Sequence, residues 1–324
     1  MADGTNEGCW IGFDLGGTKM LAVVFDSSFK PLGRDRKKTK GHLGAESGLE
    51  RIVQTIREAM QDASVSDKQI CGIGVGCPGP LDLNRGIILE APNLGWKDVP
   101  IKQTLTKKFG CPAVIVNDVD AGVFGEYRFG AGRQERCVLG LFLGTGIGGG
   151  CVYEGKLFRG KTGSCMEIGH VQIMPAGPRS GTGRVGSLEA VASRLAIAAE
   201  AAQAAFRGQA PHLHELAGTD ISQIRSGTLA AAIKASDRVI EQIVRDAAEK
   251  IGVVVAGMIN VLAPDVVVLG GGLVEAMPQL FLDGVSGAVC RHVLASYADS
   301  YHIVPAELGD EAIVMGAAAW AATL

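Results

Sequence analysis

The feature that most limits the fold is a strand-bend-strand unit that occurs twice. "CWIGFDLGGTKMLAVVFD" (9–26) and "CVLGLFLGTGIGGGCVYEGKLF" (137–158) each place two apolar runs around a short Gly/Thr centre. Apolar residues flanking a tight glycine turn form a β-hairpin, so each segment predicts two strands with chemistry at the bend. The two copies differ residue by residue. As a device, however, two α/β units that each present a glycine bend could grip one ligand.

Between the hairpins, "ESGLERIVQTIREAMQDA" carries Leu49, Ile52, Val53, Ile56 and Met60 at helical spacing, after a cap expected at Ser47. "ICGIGVGCPGPLD" reads as a strand running into a Gly/Pro turn. "PAVIVNDVDAGVFGEYRFG" reads as a buried strand ending at Asn117 and Asp118, then a helix. Strand ends of α/β sheets are where ligands bind. Beyond the second hairpin come a Gly/Ser/Thr loop, a helix from Ser187 to about Phe206, and a long helix from about Ser236 to Ala263. "DVVVLGGGLVE" then predicts a buried strand with a third glycine turn, and "GDEAIVMGAAAWAATL" a small-residue helix. The expected division is 1–121 plus a terminal helix of about 309–324 for one α/β domain, and 122–308 for a larger one.

With 324 residues, 47% of them hydrophobic, the chain can bury two cores. Its formal net charge of −3 and lack of a long Lys/Arg run argue against nucleic acid or a membrane surface as partner. The polar start "MADGTNEGCW" is no signal peptide, and the longest apolar run, 251–263, is too short to span a bilayer. Eight scattered cysteines without a C-x-x-C pair fit reduced thiols in a cytoplasmic protein.

The turns "DLGGTK", "LGTGIGGG" and "LGGGLVE" could each cradle phosphate, since glycine lets backbone amides approach it and Thr18 and Thr145 add hydroxyls. No Walker A sequence is present. Asp14 could hold hydrated Mg²⁺ or simply cap its own turn. Asp118 could act as general base or as the N-cap of the following helix. Glu167, His170 and Glu189 offer directional groups for sugar hydroxyls, with structural roles as the alternative.

Taken in order, "FDLGGTK", "GCPGPLD", "PNLGWKDVP", "VNDVDA", "LFLGTGIGGG", "MEIGH", "GSLEAVAS", "VVVLGGG" and "LGDEAIVMGAAAWA" resemble the ROK family of sugar kinases and repressors along nearly the whole chain. The resemblance implies the two-domain actin-like ATPase fold with a central cleft. It implies Asp118 as catalytic base, and Gly79, Asn93, Asn117, Glu167, His170 and Glu189 as sugar ligands. Gly16, Gly17, Thr18, Lys19, Gly144, Thr145, Gly146, Gly148, Gly271 and Gly272 would face ATP, with Asp14 on the Mg²⁺ side. Only thirteen residues precede Asp14, too few for a helix-turn-helix domain, so a kinase is expected, and "PNLGWKDVP" looks most like glucokinases. N-acetylmannosamine, N-acetylglucosamine, fructose and allose kinases, and a non-catalytic sugar sensor, are the alternatives. A homodimer is common in the family.

One departure stands out. The family's zinc loop carries three cysteines where this chain, aligned on Gly183, Gly186 and Glu189, has Ser180, Thr182 and Ser187. Neutral hydroxyls do not replace thiolates, so no structural zinc is expected, and His170, its fourth ligand in the family, would be freed. Some members lacking these cysteines use polyphosphate, which makes it an alternative donor to ATP.

Overall fold

In the computed structural model, residues 8–161, 163 and 165–323 are described. They divide into two compact units, 1–133 with 156–165 and 310–324, and 134–155 with 166–309.

In the first unit, β1 (Cys9–Leu15) and β2 (Lys19–Phe25) form the expected hairpin, and β3 (Pro31–Lys38) extends it. Helix α1 (Ala45–Asp62) follows, with Gly44 rather than Ser47 as its cap, then β4 (Ile70–Cys77). A small sheet of β5 (Leu81–Asp82), β6 (Ile87–Ala91) and β7 (Trp96–Val99) leads to α2 (Ile101–Phe109), β8 (Ala113–Asn117) and α3 (Asp118–Phe129). The main sheet runs β3-β2-β1-β4-β8, with β1, β4 and β8 parallel. Parallel strands covered on both faces need apolar or small residues at successive positions, which is the composition of β4 and β8.

The second unit repeats this plan. It contains β9 (Cys137–Leu143) and β10 (Ile147–Tyr153), and, after the short β11 (Lys156–Leu157), helices α4 (Leu188–Ala192), α5 (Arg194–Phe206), α6 (Pro211–Ala217), α7 (Ser226–Lys234) and α8 (Arg238–Leu262). Then come β12 (Val266–Gly270), α9 (Gly272–Ala276), α10 (Pro278–His292) and β13 (His302–Pro305). The order β10-β9-β12-β13, one antiparallel pair and two parallel ones, matches β2-β1-β4-β8 of the first unit. The repetition is therefore one of topology, which sequence identity between the hairpins understates.

The helix expected from Ser187 to Phe206 is two helices. Ser187 caps α4 by accepting from the Ala190 amide at 3.3 Å, and Ser193 restarts the chain as cap of α5, accepting from Ala196 at 3.3 Å. Two N-cap serines six residues apart override the helix propensity of the alanine-rich run. On α8, glycine again sets the spacing: a Cβ on Gly252 would lie 2.5 Å from the Ala288 Cβ, so α10 packs close.

The last helix, α11 (Ala312–Ala321), returns to the first unit. Its seat is made of glycines. A Cβ on Gly12 or Gly74 would stand 1.9 or 1.8 Å from the carbonyl oxygens of Val314 and Ala317, and one on Gly316 would meet the Ala121 oxygen of α3 at 1.8 Å. Backbone-to-backbone approach of this kind admits no other residue type without displacement. Trp320 closes the seat edge-on against Phe124, with ring centroids 5.3 Å apart. The break expected near residue 121 falls inside α3, which α11 holds within this unit.

Candidate active site

In the first unit, the C-terminal ends of the three parallel strands bring the acids together. Asp14 pairs in register with Gly76, and Cys77 with Asn117, so Asp14, Cys77 and the start of α3 lie in one layer. Burial raises the Asp14 carboxyl to a pKa of about 7, helped by the charges of Asp118 and Asp310 and opposed by Lys19 and Arg36. Burial also pushes the Cys77 thiol well up, with the charges of Asp118 and Asp14 adding to it, which keeps it an inert neutral group.

The cap of α3 is Asn117. Its Oδ1 accepts from the amides of Val119 at 2.9 Å and Asp120 at 3.2 Å, while Asp118 occupies the first turn and accepts from Val119 at 3.0 Å. The N-cap alternative for Asp118 therefore passes to its neighbour. Asn117 retains its Nδ2 as donor, near Gly79, where a Cβ would lie 4.0 Å away.

The first glycine turn is tied down by a residue that the sequence does not single out. Thr39, fully buried, donates its hydroxyl to the Gly16 carbonyl at 2.7 Å and its amide to the Thr18 carbonyl at 2.9 Å. Thr39 sits in the polar stretch "KKTKG", where nothing distinguishes it. Gly17 faces Asn93, whose Nδ2 would lie 3.0 Å from a Cβ there, so Asn93 and the turn are neighbours. Lys19 leaves the turn exposed, 3.7 Å from Asp310.

In the second unit, the turn between β9 and β10 is clamped from α4 and α5. Glu189 Oε2 accepts from the Ile147 amide at 3.1 Å, and a Cβ on Gly146 would lie 2.3 Å from that oxygen. Arg194 donates its guanidinium to Thr145 Oγ1 at 2.7 Å and its backbone amide to the Gly144 carbonyl at 2.9 Å. Arg194 is equally silent in the sequence, because the break that aims it is hidden in the alanine run. Gly169 of the Glu167–His170 turn packs on the Ile147 carbonyl, whose oxygen would lie 2.1 Å from a Cβ there, so the turn shares Ile147 with Glu189. His170 Nε2 lies 3.9 Å from Glu167 Oε2, and its Nδ1 is buried and makes no hydrogen bond among the described residues.

The third glycine turn adjoins the second. Gly271, at φ 85°, stands where a Cβ would meet the backbone of Leu143 at 2.6 Å, and Gly272 faces Ser226 of α7. Gly148 lies on β10 opposite Phe142.

The loop 171–188 holds its shape by backbone bonding. Gly186 at φ 63° accepts from Ile173 and Met174, and Leu188 donates to Val171. Ser180 and Thr182 hydrogen-bond each other at 2.8 Å, and Ser187 serves as the α4 cap. No group of three or more His, Cys, Asp or Glu able to hold a metal occurs among the described residues.

The ROK family model matches residues 10–323. A glucokinase of Thermotoga maritima is 34% identical over 95% of both chains, and a putative xylose repressor of a Caldicellulosiruptor species is 30% identical over 97% of this chain and 78% of its own length. The ROK glucokinase of Streptomyces griseus, solved with glucose and AMPPNP, is 31% identical with a TM-score of 0.85, covering 98% of this chain and 100% of that one. The fold is accordingly the actin-like ATPase fold of two α/β domains. The chain belongs to the ROK family.

Proposed function

We propose that the protein is a glucokinase, an ATP-dependent hexose kinase that transfers the γ-phosphate of ATP to the 6-hydroxyl of glucose. The observation that carries this reading is the placement of Asp14 and Asp118 at the ends of β1 and β8, the parallel strands on either side of β4, close enough that the Asp118 charge raises the proton affinity of Asp14, beside a glycine turn pinned by Thr39.

Asp118, on the first turn of α3, takes the proton of the attacking hydroxyl. Asn93, Asn117 through Nδ2, the backbone near Gly79, and Glu167, His170 and Glu189 bind the hexose hydroxyls. Glu189 keeps one carboxylate oxygen for this, the other being bound to the Ile147 amide. The amides of Gly16, Gly17 and Thr18 and of Gly144 to Gly148 receive phosphate oxygens, with Lys19 as a point charge and Gly271 and Gly272 against the adenosine. A Cβ at Gly146 or Gly271 would collide with Glu189 Oε2 or with the Leu143 backbone, so both turns keep this shape only with glycine. Asp14 fits a hydrated Mg²⁺: a carboxyl whose proton affinity burial and neighbouring carboxylates have raised is relieved by a dication. Mg²⁺, when bound, neutralises charge on the transferring phosphate. Structural zinc plays no part in this reading. The protein acts in the cytoplasm as a homodimer; no helix of the described residues is long and apolar enough to cross a membrane.

The repressor relative motivates one other reading, a sugar-binding protein without catalysis. An ADP-release assay with glucose, mannose, N-acetylmannosamine, N-acetylglucosamine, fructose and allose decides between them. Turnover greatest with glucose supports the kinase; silence with every sugar refutes it.

A further inference from the structure

The two ends of the loop 171–188 are laced together. The Leu188 amide donates to the Val171 carbonyl at 2.9 Å, and Gln172 pairs with Ser187 in an isolated antiparallel bridge. Gly186 closes the next rung, its carbonyl accepting from the amides of Ile173 at 2.9 Å and Met174 at 3.0 Å. Exposed Gln172 adds a side-chain bond across the same gap, from Nε2 to the Val185 carbonyl at 3.1 Å. The Glu167–His170 turn, immediately before the loop, and α4, immediately after it, are thus held side by side. The crossing needs glycine, because a Cβ on Gly186 would stand 1.6 Å from the Met174 carbonyl oxygen.

The residues at the family's cysteine positions are spent on other bonds. Ser180 and Thr182 hold each other at 2.8 Å in the middle of the loop. Ser187, only 1% exposed, accepts from the Ala190 amide of α4 at 3.3 Å. Together with His170, these positions offer one strong metal ligand, the imidazole, whereas a structural zinc needs a full tetrahedral set. The residues present do not fit the metal.

What they do fit is control of Glu189. Helix α4 has five residues, little more than one turn, and so short a helix has few internal hydrogen bonds and depends on its ends. Ser187 caps its start, and Glu189 is its second residue. From there Glu189 Oε2 reaches the Ile147 amide of the β9–β10 turn at 3.1 Å. Leu188 and Ala192, both fully buried, fasten one side of α4 to the core. Core packing alone, however, calls for neither a buried hydroxyl at 187 nor a glutamine that spans the exposed side of the loop.

We propose that Ser187 and Gln172 are positioning residues for Glu189, and that their hydrogen-bonded clasp sets this carboxylate for the hexose without a metal. The inference rests on the reading of Glu189 as a hexose ligand. Because Glu189 also binds the Ile147 amide, its setting can be measured without sugar or turnover.

Amide hydrogen exchange at Ile147, calorimetric glucose binding without nucleotide, metal analysis and urea unfolding of the full chain test this. Ser187→Ala and Gln172→Ala should each speed Ile147 exchange and weaken glucose binding by about fivefold, the factor expected for one lost cap or hydrogen bond. Ser187→Thr keeps a capping oxygen and should stay within about twofold of wild type in both measurements. Asp237→Asn weakens the bonds that Asp237 accepts from the His212 and Leu213 amides at the start of α6. It should lower the unfolding midpoint yet leave Ile147 exchange and glucose affinity within about twofold, which separates positioning from general stability. A chelator should alter none of these values. Unchanged Ile147 exchange in Ser187→Ala and Gln172→Ala, an equal response in Asp237→Asn, or one tightly held zinc per chain would each overturn the clasp. Faster exchange in the two variants, with no glucose binding by wild type, would keep the clasp and remove the hexose reading. Glucose binding by wild type, with exchange unmoved in the variants, would do the reverse.

Discussion

Replacing Asp14 by asparagine should make the metal-free protein more stable, and increasingly so as pH rises. The carboxyl ionises near pH 7 in the fold, against 3.8 for an ordinary aspartate. That gap of about three pKa units corresponds to about 4 kcal/mol between the ionised and neutral forms. The folded protein keeps a proton that the unfolded chain has already released between about pH 4 and pH 7. Stability therefore falls as pH rises through that window and levels off above it. Asparagine removes the titration without changing the shape of the side chain. Between about pH 5.5 and about pH 8 the advantage of Asp14→Asn over wild type should grow by about 2 kcal/mol. Urea unfolding in the presence of a chelator, followed by tryptophan fluorescence, measures it, because Trp10, Trp96 and Trp320 all lie in the first unit. An advantage that stays constant or shrinks over this range would refute the electrostatic account. The same variant should lose activity with MgATP, the usual trade of stability against function at a strained site.

Four further outcomes follow from the geometry. Asp118→Asn should keep hexose binding and lower kcat by about 10²- to 10⁴-fold in a coupled assay; near-normal kcat would remove it as base. Arg194→Ala frees the Thr145 hydroxyl and loosens the second turn, so KM for ATP should rise while glucose affinity measured without nucleotide is unchanged, with partial recovery in Arg194→Lys. Gly316→Ala drives a methyl into the Ala121 carbonyl and should destabilise the first unit by about 1–3 kcal/mol or more by urea unfolding; an unchanged midpoint would contradict the seat described for α11. Ser193→Ala should cost about 1 kcal/mol through the lost α5 cap, read in the same experiment by circular dichroism.

Much of the site was legible because it depends on local chemistry. A Gly/Thr centre between two apolar runs can hardly be anything but a hairpin bend, and an Asn-Asp pair after a buried strand has to emerge at a strand end. The order of motifs along the chain, from "FDLGGTK" to the terminal alanine helix, pointed to the family and with it to the fold. The division of labour at the start of α3 was not legible. Asn117 and Asp118 are both good caps by type, and only the backbone at Asn117, extended at φ −61° and ψ 143°, decides which of them takes the amides. The break at Ser193 was concealed by alanines that favour helix on both sides of it.

By itself, the sequence determined the two hairpins, the three glycine turns, the acids at strand ends and the loss of thiolates from the loop at 180–187, because each of these is a property of a short run of residue types. Tertiary structure decided what those runs stand beside. Gly12 and Gly74, sixty-two residues apart, become one seat for a helix that comes more than two hundred residues later. Lys19 and Lys38 become a facing pair through strand register, and Thr39 becomes the tether of a turn that it follows by more than twenty residues. Such meetings depend on which strand pairs with which and on how closely backbones can approach. Those choices are settled by burying the whole sheet at once, not by any segment alone.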